Sequence, residues 1–392
     1  MAIQTRPSLT LPLPELASQF LLKDDIIFLN HGSFGACPRP VFETYQYWQR
    51  ELESDPVDFI GRRTQDLMLE SKKELATYLN APVEQMVFVP NATTGINIVA
   101  RSLQLEPGDE ILTTDHEYGA VNNTWRFNFE KKGVKYINHP MPLPFTTPEA
   151  FVERFWEGVT PRTKVITFSH ITSPTALTFP AELICKRAKE AGILTVIDGA
   201  HAPGQIDIDL TAMGVDYYTG NCHKWLTAPK GSAFLYAAPG REDELEPLVV
   251  SHGWSRPHEE QSKFLDNFNW TGTMDPSAYI SVGAAVRFQH ENNWHAVRVA
   301  CHQLASQTRN RINEMTGLDP VCPDSTEWFS QMFVARLPRE TWEKLGDTLW
   351  PEFKIEVPLP LWNDEPLIRV SVQAYNTPEH MERLLGAIEK YL

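Results

Sequence analysis

Short apolar, β-prone runs recur through the middle of this chain, with helical stretches between them. Met86-Val87-Phe88-Val89, Glu110–Thr113, Val134–Asn138, Lys164–Ser169, Ile193–Ile197 and Ala233-Phe234-Leu235-Tyr236 each read as a strand. Helices are predicted near Ile96–Leu103, Gly119–Lys132, Pro148–Glu157 and Pro180–Ala191. Strands this apolar are buried on both faces. That requires a mostly parallel sheet covered by helices, an α/β architecture.

A helical pattern from about Val41 to Leu79 precedes this region, ended by Asn80-Ala81-Pro82. From about Asn292 the texture changes. A long helix (Trp294–Met315) is followed by strand Gln331–Leu337, helix Glu340–Leu349, strands Phe353–Val357 and Leu367–Val372, and a last helix Pro378–Tyr391. The expected organisation is an arm (1–27), a large domain (28–290) and a smaller α+β domain (291–392) that takes in part of the N-terminal segment.

Composition removes several classes. The chain has 392 residues and a formal net charge of −15, with no block of basic residues, so nucleic acid and anionic membrane are poor partners. No apolar stretch is long enough to span a bilayer, and Met1–Leu22 lacks the apolar core of a signal peptide. The five cysteines are odd in number and irregularly spaced, with no Cys-x-x-Cys pair. A disulfide framework and a zinc site are not expected, and a cytoplasmic location is the default.

The chemistry concentrates around Thr195-Val196-Ile197-Asp198-Gly199-Ala200-His201 and Gly220-Asn221-Cys222-His223-Lys224-Trp225. The first run places Asp198 where a buried strand stops. The second reads as a polar turn carrying Lys224. A buried carboxylate and a downstream lysine are what pyridoxal phosphate needs. The amine forms a Schiff base with the aldehyde, and the carboxylate keeps the pyridine nitrogen protonated as an electron sink. Either residue alone is more often an ordinary solvated side chain.

Other residues add to the pair. Thr93-Thr94-Gly95 opens a helix after a strand, where free N–H groups suit a phosphate, although a plain N-cap explains it equally well. Tyr118 follows a strand end, where an aromatic can stack on a cofactor ring or simply line a cleft. His201 can orient Asp198 or meet the cofactor's edge, and His223 can face the phosphate. Arg369 sits inside a β-branched strand, where a charge needs a partner; a substrate carboxylate or an internal ion pair would serve. Trp270-Thr271-Gly272-Thr273 offers a second phosphate donor or a capped loop. Trp254 and Arg256 can shape a pocket, though a plain loop explains them as well.

This ordered set resembles the class V aminotransferase family of fold-type I pyridoxal-phosphate enzymes, and within it the isopenicillin N epimerase-like branch. The segments that carry the likeness are Phe28-Leu29-Asn30-His31-Gly32-Ser33-Phe34-Gly35, Asn91-Ala92-Thr93-Thr94-Gly95-Ile96-Asn97, Ser169-His170-Ile171-Thr172-Ser173-Pro174-Thr175-Ala176, Asp198-Gly199-Ala200-His201 and Arg369-Val370-Ser371. The resemblance implies that Lys224 carries the cofactor, Asp198 pairs with the pyridinium and Tyr118 stacks on the ring. It implies that Thr93, Thr94 and His223 hold the phosphate and that Thr273 reaches it from a neighbouring subunit. Arg369 would hold the α-carboxylate, with Asn30, His31 and Gly32 on the substrate side. Members are homodimers with active sites at the interface.

Two departures matter. Related desulfurases and lyases carry His where Tyr118 aligns, and often Asn near Thr172-Ser173-Pro174 to bond the cofactor's phenolic oxygen. Here Thr172 or Ser173 must serve, or nothing does. Cys322 is the one late cysteine that could act as a desulfurase nucleophile, and its flanking prolines make it structural instead. The leading expectation is epimerisation or racemisation at the Cα of an amino acid. It needs a second acid across the ring, for which His31 and Tyr118 are the candidates. β-Elimination, as in a C–S lyase or desulfurase, and transamination are the alternatives. A non-catalytic scaffold is opposed by the intact Lys224, Asp198 and Arg369.

Overall fold

A computed structural model describes residues 11–255 and 262–392. Its strands, in chain order, are β1 (Ile27–Phe28), β2 (Met86–Val89), β3 (Glu110–Thr114), β4 (Lys135–His139), β5 (Thr163–Ser169), β6 (Leu194–Asp198), β7 (Tyr217–Asn221), β8 (Ala233–Ala237), β9 (Met332–Arg336), β10 (Ile355–Glu356), β11 (Leu361–Trp362) and β12 (Glu365–Ser371). Seven form one sheet in the order β2-β8-β7-β6-β5-β3-β4. All pairings from β7 to β4 are parallel, and β8 alone runs against its two neighbours.

Alternation explains why this sheet is covered on both faces. Val165, Val196, Tyr217 and Leu235 pack into one hydrophobic cluster, while Ile166, Ile197, Tyr218 and Phe234, each next in sequence or just before, pack into another. Successive strand side chains point to opposite faces, so an unbroken apolar run feeds two cores at once. Helices Ala92–Ser102 and Gly119–Phe129 bury Ile96, Val99, Val121, Trp125 and Phe129 in the first cluster. Helix Ala181–Glu190 buries Ile184, Cys185 and Ala188 in the second.

The later part of the chain forms a smaller antiparallel sheet, β11-β12-β9, with helices Trp294–Thr316, Arg339–Phe353 and Pro378–Glu389. The N-terminal segment joins it. β1 pairs with β10, the Ser371 amide donates to the Leu29 carbonyl, and Asn376 Nδ2 donates to the Phe28 carbonyl. These bonds wedge residues 28–33 between the small sheet and the edge of the large one.

Three features depart from the sequence reading. β7 departs from the polar turn that the sequence predicts at Gly220 and Asn221, two residues of low strand propensity. Its place between β6 and β8 overrides that propensity. Glycine is required at 220, since a Cβ there would meet the Phe234 ring at 2.8 Å and Pro203 at 2.9 Å. The helix expected over 41–79 is divided by Pro56 into Arg39–Ser54 and Thr64–Tyr78, with a wide turn at Phe59–Arg63 between them. Helices Lys263–Asn269, Ser277–Ile280 and Val282–Glu291 add to what the pattern indicated.

Candidate active site

β5, β6 and β7 are parallel neighbours ending at Ser169, Asp198 and Asn221, so these three residues share one edge of the sheet. Ligands collect at the carboxyl edge of such sheets, outside the strand ends. Immediately beyond β7 the chain turns through Cys222 and His223 to Lys224. Gly95 lets helix Ala92–Ser102 press onto β7, for a Cβ there would stand 2.2 Å from Thr219 Oγ1. The helix N-terminus is thereby tied to the same edge: the Ala92 amide donates to Asn221 Oδ1 at 2.9 Å.

Asn91 caps this helix, its Oδ1 accepting from the Thr94 amide at 2.8 Å and the Thr94 hydroxyl at 3.0 Å. Among the described residues no acceptor takes the Thr93 amide or hydroxyl. Thr93 therefore stands at a helix start with donor capacity in hand, which suits an anion, whereas both donors of Thr94 are spent on the Asn91 cap. His223 donates through Nδ1 to the Ser232 carbonyl at 2.9 Å, which leaves Nε2 for another partner. Its pKa is lowered to about 4 by burial, with Lys224 and Lys230 adding to the effect.

Lys224 Nζ lies 3.1 Å from His201 Nε2. Burial lowers the lysine's pKa to about 8, with Arg369 assisting and Asp198 opposing. Asp198 is buried and accepts from the Ala200 amide at 2.9 Å; burial raises its pKa against the pull of Lys224. Burial moves both groups toward their neutral forms; an uncharged amine suits attack on an aldehyde, and a cation placed beside Asp198 would restore its ionised form.

Arg369 projects from β12 and is buried. Its Nη1 donates to the Ser173 carbonyl at 2.6 Å and to Ser173 Oγ at 3.0 Å, and Nη2 donates to Ser33 Oγ at 3.1 Å. Nε is buried with no hydrogen-bond partner, and among the described residues no carboxylate pairs with this guanidinium. Burial lowers its pKa to about 10. It lines a cavity of about 330 Å³ together with Tyr118, Glu117, Ser173, Pro174 and the rim residues Pro358, Leu359 and Pro360. Tyr118 is half-exposed, at the start of helix Gly119–Phe129.

The remaining sequence candidates divide. Gly32 donates its amide to Ser371 Oγ at 3.1 Å and packs so closely that a Cβ would meet Met332 Sδ at 2.7 Å. Asn30 accepts from Ser33 Oγ at 2.6 Å, one bond away from Arg369. His31 is fully buried, with Nδ1 at 2.9 Å from the Tyr375 hydroxyl and Nε2 at 3.0 Å from the Lys224 carbonyl. Both ring nitrogens are thus spent on structure, and burial takes its pKa to about 3. Thr172 Oγ1 is likewise committed, to Thr175 Oγ1 at 2.7 Å and the Leu177 amide at 2.9 Å. Ser173 serves Arg369. Thr273 is exposed in the loop whose Trp270, Thr271 and Met274 line an apolar cavity beside Thr94. Trp254 is exposed under Lys263, 5.5 Å from its ring centroid, and Arg256 lies outside the described residues. Cys322 is buried, bonded to Arg309 Nη1 at 3.2 Å, and its thiol is pushed up to about 11 by burial.

Glu117 was missed by sequence reasoning. Its Oε1 accepts from Thr114 Oγ1 at 2.7 Å, and its Oε2 accepts from the Ser169 amide at 2.8 Å and the Ser169 hydroxyl at 2.7 Å. Burial raises this carboxyl to about 7, and nearby Asp198 pushes the same way. Its place directly before Tyr118 and after a strand end was the available signal. Asn91, Asn221 and Ser33 gave none, because their roles depend on which elements meet.

The family described as aminotransferase class-V matches residues 36–384. The chain belongs to the class V aminotransferase family. It is an enzyme of that pyridoxal-phosphate-dependent group. It is 37% identical to isopenicillin N epimerase of Amycolatopsis lactamdurans over 95% of this chain and 96% of that one. It is 27% identical to a probable chloroplastic L-cysteine desulfhydrase of Arabidopsis thaliana, over 95% of this chain and 85% of that one. In fold it is similar to the apo structure of a cysteine desulfurase from Thermococcus onnurineus, with a TM-score of 0.84, 19% identity, and 98% and 99% of the two chains covered. The fold class expected from the sequence, fold-type I with a mostly parallel sheet and a smaller C-terminal sheet, is the one observed. Among the described residues no helix is long and apolar enough to cross a membrane.

Proposed function

We propose that this chain epimerises or racemises an amino acid at Cα, using pyridoxal phosphate held by Lys224. The observation that carries the reading is Arg369, a buried guanidinium without a carboxylate partner among the described residues, which opens onto a cavity lined by Glu117, Tyr118 and Ser173 and whose charge bears on Lys224. The residues present fit the cofactor: a capped helix start with Thr93, and His223 Nε2, for the phosphate, Asp198 for the pyridine nitrogen and Tyr118 for a ring face. When bound, the cofactor supplies an electron sink conjugated to Cα.

The chain's own residues then have separate duties. Arg369 and Ser173 fix the substrate carboxylate, since a guanidinium matches it through two parallel bonds. Lys224, whose pKa burial lowers to about 8, takes the Cα proton in its uncharged form. A donor on the opposite face returns one. His31 is spent on Tyr375 and on the Lys224 carbonyl, so Tyr118 is the better of the two candidates. The 37% identity to an isopenicillin N epimerase supports this reading over loss of a Cβ substituent. The cysteines support it too: the one late in sequence, Cys322, is buried and locked on Arg309, unlike a mobile desulfurase nucleophile.

We infer a homodimer as the working form. Leu248, Val249, Val250 and Trp254 expose apolar surface close to the cavity beside Thr94. Such a patch fits a subunit contact that would bring Thr273 toward a neighbour's phosphate site. The 28–290 and 291–392 division and a cytoplasmic location belong to the same proposal.

The test is proton NMR of cofactor-loaded protein with a panel of L-amino acids in heavy water. Cα–H exchange with inversion and an otherwise intact substrate is the expected result. Release of sulfide with a keto acid from cysteine would replace it with the lyase reading.

A further inference from the structure

Trp225 follows Lys224 in sequence and is fully buried. Its backbone is held on two sides. Gln289 Nε2 donates to its carbonyl at 2.8 Å, and Gly204, at φ +92°, approaches so closely that a Cβ would stand 2.2 Å from that oxygen. The His31 ring packs against the indole at 4.9 Å. The indole is therefore fixed, and its N–H points at His201 Nδ1, 3.3 Å away. An indole nitrogen can only donate. Nδ1 must then present its lone pair, and the proton of the neutral imidazole resides on Nε2. That nitrogen faces Lys224 Nζ at 3.1 Å.

The consequence concerns the lysine. An ammonium at Nζ would aim a second donor at a ring whose Nε2 already carries hydrogen. An uncharged amine accepts that hydrogen instead. We propose that Trp225 is a positioning residue that fixes the Nε2–H tautomer of His201, and that His201 thereby holds Lys224 as an uncharged amine ready to capture the cofactor aldehyde. With the cofactor held by Lys224, the Nε2–H of His201 would be free to donate, whereas Thr172 and Ser173 are otherwise engaged.

The groups facing Lys224 are Asp198 at the end of β6, His201 in the turn after it, neighbouring His223, and Arg369 from β12. His31, from the N-terminal segment, and Arg369 also face His201. Asp198 works toward a charged lysine, whereas Arg369 and the His201 donor work against it.

This inference rests on Lys224 being the cofactor lysine, and two measurements separate the claims. Long-range proton–nitrogen correlation on protein carrying 15N-histidine reads the His201 tautomer directly. Nε2–H is expected; Nδ1–H or a charged ring at pH 7.5 overturns the proposal, whatever the cofactor does. The second measurement is the pH dependence of pyridoxal phosphate uptake by apoprotein, read from its visible band. Trp225→Phe should raise the midpoint by about half to one pH unit, the size of one lost hydrogen bond. In a His201→Gln background the same substitution should produce no further shift. Equal shifts in both backgrounds would mean that Trp225 acts only through packing, which also overturns it. Absence of any visible band in the parent protein, with the Nε2–H tautomer present, counts against Lys224 as the cofactor lysine and not against the tautomer.

Discussion

Arg369 brings a positive charge into a cavity where, among the described residues, only Ser33 and Ser173 answer it. A charged hydrogen bond lost at such a place costs about 1.5–3 kcal/mol, so Arg369→Met should lower kcat/KM by roughly 10- to 150-fold, chiefly through KM. Steady-state kinetics on the substrate found by NMR checks this. Tyr118 makes a sharper prediction. Phenylalanine keeps the ring but loses the hydroxyl, so Tyr118→Phe should cut inversion by about 100-fold or more while Cα–H exchange from the Lys224 face persists. Full inversion in that variant would remove Tyr118 as the second acid. Glu117 is predicted to act on stability. Its folded pKa, about 7, is raised above the ordinary 4.5, so the stability it contributes is present below pH 4.5 and lost as pH rises through 7. The loss is about 3 kcal/mol. Glu117→Gln cannot ionise and should therefore gain on the parent in apoprotein melting temperature between pH 5 and 8. The Ser169 and Thr114 bonds can both be kept by the amide.

Helix Ala92–Ser102 works as an element only because its first turn is delivered to the end of β7. Asn91 caps it, Asn221 grips the Ala92 amide and Gly95 removes the obstacle at Thr219. Gly95→Ala would place a methyl 2.2 Å from Thr219 Oγ1, the same hydroxyl that donates to the Phe234 carbonyl at 2.7 Å. The helix start must then swing outward. The expected outcome is a loss of about 1–3 kcal/mol in stability and cofactor affinity weakened at least about tenfold. Chemical denaturation and absorbance titration with pyridoxal phosphate measure the two effects. Asn91→Ala removes the cap without a clash and should cost about 1 kcal/mol, with a smaller effect on cofactor affinity. The Ile96–Leu103 stretch was legible as a helix from its apolar spacing. Its true start at Ala92 was not, since the cap and the strand contact are tertiary.

On the scale of the whole molecule, the fold buries several histidines in their neutral form. Burial is the leading cause that lowers His31 to about 3, and His116, His170 and His223 to about 4. A histidine with a depressed folded pKa contributes stability that is present above its unfolded value of 6.5 and lost as pH falls toward 4. Each is worth about 3 kcal/mol across that window, so together they rival the 5–15 kcal/mol that holds a typical domain. The protein should lose melting temperature steeply between pH 6.5 and 4, followed by circular dichroism. This fall should outweigh the opposite slope from Glu117.

Some of this molecule was written in its linear order. Apolar runs with alternating destinations specify a sheet buried on both faces, because side-chain direction reverses at each residue whatever lies around it. The positions of Asp198 and Lys224 were legible for a related reason: a carboxylate closing an apolar strand and a lysine in the polar run that follows are local patterns, although either residue alone is more often a solvated side chain. Contacts between distant segments were not legible. β7 forms despite Gly220 and Asn221 because β6 and β8 flank it. His31 is turned from a proton donor into a strut by Tyr375 and the Lys224 carbonyl. Glu117 is buried against Ser169, and β12 sets Arg369 at the cavity where no carboxylate among the described residues meets it. In each case the chemistry depends on burial and on which partner stands within 3 Å. Only the folded arrangement decides those.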